Sequence, residues 1–140
     1  MKKAFTPEEI FPPGEDYTTV VNPFTGLAGK ARKATVAATL NNIALLNRLL
    51  LENTGSDQIQ LINEAISKLI PSLKAVGIFD LFSLEEWASD DRQLGRIYVV
   101  ALYLKQYPDE MTDYLALKFI KIKQSTKSLS LRAELDGITK

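Results

Sequence analysis

Apolar positions recur at helical spacing from about residue 36 onward, and before residue 30 they do not. Projected at about 100° per residue, Val36, Leu40, Ile43, Leu46, Leu49 and Leu50 share one broad face, with Lys30, Ala37, Asn41, Ala44, Arg48 and Glu52 opposite. This predicts a long helix from Lys30 to Asn53, wide enough in its apolar face to be central, with Gly55 as its stop signal. A second helix opens at Ser56 or Asp57, either of which can cap its first amides. Its stripe is Ile59, Ile62, Ile66, Leu69 and Leu73, and Gly77 ends it. Pro71 lacks an amide proton and crowds the preceding turn, so a kink or a break is expected between Ser67 and Pro71.

Beyond Gly77 the signals are local and sharp. Ser83 and Glu86 form an S-x-x-E capping box, and Phe82 can close a hydrophobic staple on Trp87, so a short helix starts at Leu84. Asp90 with Gln93 repeats the box in weaker form and opens a helix to about Gln106. Its run "IYVVALYL" reads as a buried strand by periodicity alone, but the cap before it and Pro108 after it favour a helix buried on most sides. Pro108, Asp109 and Glu110 suit a helical first turn. Met111, Tyr114, Leu115, Phe119 and Ile122 then follow at helical spacing. Two readings stay open at the end: helix plus a tail over 125–140, or a minor C-terminal β-hairpin from the alternation in "LALKFIKIK" and "SLSLRAEL".

Residues 1–29 differ in kind. They hold Pro7, Pro12, Pro13 and Pro23 with Gly14, Gly26 and Gly29, yet also Phe5, Ile10, Phe11, Tyr17, Val20, Val21 and Phe24. That is too much apolar surface for a solvated tail. An extended arm packed on a helical body is expected, with "YTTVV" as a short strand. The whole chain, 1–140, reads as one all-α domain: a compact bundle of four main helices plus one short helix, wrapped by the arm.

Composition narrows the chemistry. The chain has neither cysteine nor histidine, which excludes zinc sites built on them and every Cys-His or Ser-His catalytic pair. No metal or cofactor is implied. Net charge is zero and the pI is near 6.3, which argues against nucleic acid as a partner. The N-terminus has no signal-peptide pattern, and the longest apolar run is eight residues where a membrane span needs about 20. The expectation is a cytoplasmic protein with no membrane contact.

One stretch invites a phosphate reading, "NPFTGLAGKARKAT". A Walker loop fails there, because the first glycine position is Phe24 and the Ser/Thr position is Ala31. The dinucleotide pattern lacks its first glycine. What remains is a cluster of cations, Lys30, Arg32 and Lys33, at the expected helix start, where they oppose the helix dipole. They answer either to the protein's own acids or to an anionic ligand, with Asn42 or Tyr17 adding a polar contact. Asn42 projects onto the core face and must find a partner there. The acids Glu85, Glu86, Asp90 and Asp91 are explained by capping. Tyr98, Tyr103, Tyr107 and Tyr114 and the apolar "GIFDLF" belong to the core or, where exposed, mark an interface. With no catalytic vocabulary and a surplus of apolar helix surface, the functional expectation is a non-enzymatic protein–protein interaction module that forms a homodimer and meets a further protein partner. The alternative is a small anionic-ligand site at the start of the first long helix.

Overall fold

The computed structural model describes residues 17–21, 28–32 and 35–139, with side chains from Thr39 onward. Strands β1 (Tyr17–Val21) and β2 (Ala28–Arg32) pair antiparallel, with Tyr17 opposite Arg32 and Val21 opposite Ala28. Helices α1 (Thr35–Glu52), α2 (Ser56–Ala75), α3 (Ile78–Leu81), α4 (Leu84–Trp87), α5 (Leu94–Gln106), α6 (Asp113–Ser125) and α7 (Leu129–Asp136) follow. Pro108–Glu110 forms a 3₁₀ turn between α5 and α6. The protein is thus mostly helical, but its seven helices among the described residues replace the expected four plus one. Of the arm expected over 1–29, residues 1–16 and 22–27 lie outside the described residues.

α1 opens at Thr35 rather than Lys30, because Ala28–Arg32 is engaged in the ladder with β1. Its stop is not Gly55 but Asn53, which takes a left-handed φ of 51°. The amide of Thr54 donates to the Leu49 carbonyl at 3.1 Å and that of Asn53 to the Leu50 carbonyl at 3.3 Å. This is a Schellman closure with asparagine in the glycine's usual place. Gly55, at φ 70°, instead starts α2, and no side chain caps that helix.

α2 runs through Pro71 without the expected break. Proline leaves the carbonyl four residues earlier, that of Ser67, without its helical donor. Gln106 on α5 supplies one: its Nε2 donates to the Ser67 carbonyl at 2.8 Å. The Pro71 ring lies on the exposed face. Gln106→Ala should therefore cost about 0.5–1.5 kcal/mol in urea denaturation of the wild type, and almost nothing in a Pro71→Ala background, where the helix mends its own bond.

α5 is the axis of the molecule. Every residue from Ile97 to Leu104 is buried, so "IYVVALYL" is a helix enclosed on all sides rather than a strand. α1 and α2 pack on it, α4 meets its start, and α7 packs beside it while α6 lies against α7 and α4. It starts at Leu94, later than the Asp90 box suggested, since Asp90 Oδ1 accepts the Arg92 amide and guanidinium instead of the Gln93 amide. Its first turn is capped from another helix: Asn47 Oδ1 on α1 accepts the Gly95 amide at 3.0 Å.

The C-terminal hairpin and the C-terminal tail are both replaced by α7. The alternation in "SLSLRAEL" does not survive folding, because Leu131 and Leu135, four apart, are buried while Leu129 is 68% exposed. Ser128 Oγ caps the helix by accepting the Leu131 amide at 3.1 Å. α6 is capped by Thr112, not by the Pro108 turn, and buries Leu115, Phe119 and Ile122.

Candidate functional site

The described residues hold an apolar groove of about 410 Å³ where α1, α3, α4 and the start of α5 meet. Local sequence builds it. Gly77, at φ 88°, turns the chain out of α2, and four residues of α3 follow. Phe82 is extended, and the Ser83 capping box restarts the helix as α4, with Ser83 Oγ accepting the Glu86 amide and Glu86 Oε1 accepting the Ser83 amide, each at 3.1 Å. The break between the two short helices leaves Leu81 and Phe82 exposed in the groove's lining. Leu40, Ile43, Ile78 and Trp87 complete the apolar lining, with Glu86 and Arg96 as its charged members.

Leu40 is 55%, Leu81 59% and Phe82 51% exposed, so three large apolar side chains face solvent at one groove. This corrects one expectation: Leu40 is not a core residue. The ring partner of Trp87 is Phe79, at 5.5 Å between centroids.

Phe79 begins a row of rings that runs away from the groove, to Tyr103 at 4.6 Å and on to Tyr107 at 4.9 Å. The row ends under the Lys74 ammonium, 3.9 Å from the Tyr107 centroid. Lys74 Nζ bonds Glu110 Oε2 at 2.6 Å, and the Tyr103 hydroxyl donates to the same carboxylate at 2.8 Å. Burial pushes the Tyr103 hydroxyl up to about 12 against the opposing bond from Lys74. Burial also acts to raise Glu110, but the bonds from Lys74 and Tyr103 outweigh it and hold its carboxyl below its ordinary 4.5. Lys74 is raised, chiefly by its bond to Glu110. Tyr98, the other buried tyrosine of α5, is pushed up to about 12 by burial while accepting from Asn63 Nδ2 at 2.8 Å.

The clamp sets a pH window. A depressed Glu110 contributes stability that is present above 4.5 and is lost as pH falls through its lower folded value. A raised Lys74 contributes stability that is present below 10.5 and is lost only at higher pH. The pair is 40% and 42% exposed, so its worth is screened to at most about 1 kcal/mol. Glu110→Gln should show a flatter loss of stability than wild type on acidification below about pH 5, read by urea midpoints.

The residues expected to hold an anion fall in the β1–β2 ladder and α1, with one outside the described residues. Lys30 and Arg32 stand in β2, Tyr17 in β1, and Lys33 outside the described residues. Tyr17 and Arg32 are brought together as cross-strand partners. Asn42 is fully buried on α1, as its projection required, and is not without a partner. The four acids near α4 are occupied: Glu85 accepts from the Thr112 hydroxyl, Glu86 caps α4, Asp90 holds Arg92, and Asp91 pairs with Lys118. Among the described residues no group of acids is placed to hold a metal ion, and no helix is long and apolar enough to cross a membrane. "GIFDLF" was the one sequence signal of the groove, since it packs three large apolar side chains into six residues.

Residues 27–107 match the model of a family described as Domain of unknown function (DUF7709), which spans more than half of the chain, and the chain belongs to that family. Every described residue lining the groove falls inside the matched region, whereas α6 and α7 lie beyond it. No curated protein and no solved structure matches the chain.

Proposed function

We propose that this chain is a non-enzymatic protein–protein interaction module that self-associates as a homodimer through the α1–α3–α4–α5 groove. The observation that carries the reading is the gathering of exposed Leu40, Leu81 and Phe82 around one apolar cleft. Scattered exposed leucines are ordinary, but a contiguous apolar patch around a cleft is what an interface offers. A cysteine-free chain suits a reducing, cytoplasmic setting.

The test is Leu81→Asp combined with Phe82→Asp. Both side chains are exposed, so the fold should survive within about 1 kcal/mol. Sedimentation of the wild type should show a concentration-dependent species of twice the 15.6 kDa monomer mass, and the double variant should remain monomeric. A wild type that stays monomeric at high concentration would end the reading. The alternative, a small anionic ligand held by Lys30, Arg32, Lys33, Asn42 and Tyr17, draws on the pairing of Tyr17 with Arg32. A thermal-shift response to phosphate or short carboxylates, lost in Lys30→Ala with Lys33→Ala, would favour it instead.

A further inference from the structure

Building on the reading of the groove as a self-association face, we propose that the dimer is a closed two-fold pair, groove against groove, in which Glu86 of each protomer meets Arg96 of the second copy. A two-fold contact sets one patch against itself, so the patch must be complementary to itself. This one offers the means, in shape and in charge. Each copy carries a cleft and, among its lining, the exposed apolar side chains of Leu81 and Phe82, which can enter the cleft of the second copy.

Among the described residues its two charged members are one acid and one base, on different helices. They make no ion pair with one another within the described residues. Glu86 uses Oε1 in its cap, which leaves Oε2 to receive another donor. Arg96 acts on Asp90 through space, helping to lower its pKa, without a bond to it. Two copies of a patch bearing one acid and one base can satisfy both pairs at once, whereas a partner of single-sign charge would leave one of them opposed. The zero net charge of the chain removes the general repulsion that would oppose two identical copies.

The experiment is a charge exchange between full-length chains, read by sedimentation and native mass spectrometry with a mass tag on one chain. Glu86→Lys sets base against base, and Arg96→Glu sets acid against acid. Each alone should weaken self-association by roughly tenfold or more. Mixed together, the two variants should form a heterodimer near wild-type affinity, because one cross pair is then native and the other is restored with opposite sense. The chain carrying both changes should again dimerise with itself. Glu86→Lys also removes half of a helix cap, so Glu86→Gln serves beside it: glutamine keeps the cap, and its dimer should be weaker and less sensitive to salt. Thermal melts establish that each variant is folded. Single variants that dimerise as tightly as wild type, or a mixture that fails to recover, would overturn this geometry while leaving a groove-mediated dimer intact. A wild type that is monomeric would overturn both.

Discussion

Gly95→Ala should destabilise the protein by about 1–3 kcal/mol, although alanine is worth roughly 1 kcal/mol more than glycine inside an ordinary helix. The sign is reversed by a neighbour. A β-carbon at residue 95 would sit 2.7 Å from the Ile43 carbonyl oxygen and 3.0 Å from the Asn47 amide nitrogen, both backbone atoms of α1. Backbone cannot rotate away as a side chain does, so the two helices must separate. Separation also stretches the bond by which Asn47 caps α5. The expected fall in melting temperature is roughly 3–10 °C. Gly137→Ala is the matched control. Its φ is −65°, and an added β-carbon would meet nothing closer than 3.4 Å, so it should raise stability by about 0.4–1 kcal/mol. If both substitutions stabilise the protein, α1 and α5 do not cross at Gly95.

A chain ending at residue 107, where the family match stops, should fail to fold cooperatively. Leu115, Phe119, Ile122, Leu131 and Leu135 are all buried and all lie beyond that point. Each is worth about 1.5–3 kcal/mol when fully buried. Their summed contribution is comparable to the roughly 5–15 kcal/mol that separates a folded domain from its unfolded chain. The truncation also removes Glu110, the acid that holds Lys74 and Tyr103. The measurement is a thermal melt of residues 1–107, expected to be broad and without a baseline transition, beside the sharp melt of the full chain. Phe119→Ala supplies the graded version, at a cost of about 3–5 kcal/mol. A sharp melt for the truncated chain would mean that the helices before α5 suffice to bury it.

Much of the fold was legible because its causes are local. The Ser83–Glu86 box is four residues long and depends on nothing distant, and it forms as read. The stripe Ile59, Ile62, Ile66 and Leu73 is buried as its spacing requires. Asn42 reached the core on projection alone. The failures share a different character. Pro71 reads as a breaker until Gln106, on another helix, supplies the missing donor. Lys30 reads as helix until β1 takes the backbone of Ala28–Arg32. "SLSLRAEL" alternates in sequence, yet the core accepts Leu131 and Leu135 and leaves Leu129 in solvent.

The candidate site divides in the same way. Sequence found the apolar surplus in "GIFDLF" and the cap that follows it, but an exposed leucine and a buried one have the same letter. Leu40 shares a helical face with Ile43 and Leu46, yet the fold buries those two and leaves Leu40 55% exposed. By itself, then, the sequence determined helix type, the Ser83–Glu86 cap, the excluded chemistries and the enclosed nature of α5, because these follow from periodicity, short-range hydrogen bonding and the residue types present. Tertiary structure alone decided where helices start and stop against rival partners, how closely α1 approaches Gly95, and which apolar side chains remain uncovered. Those depend on atoms brought together from far apart in the chain, whose pairing no local pattern encodes.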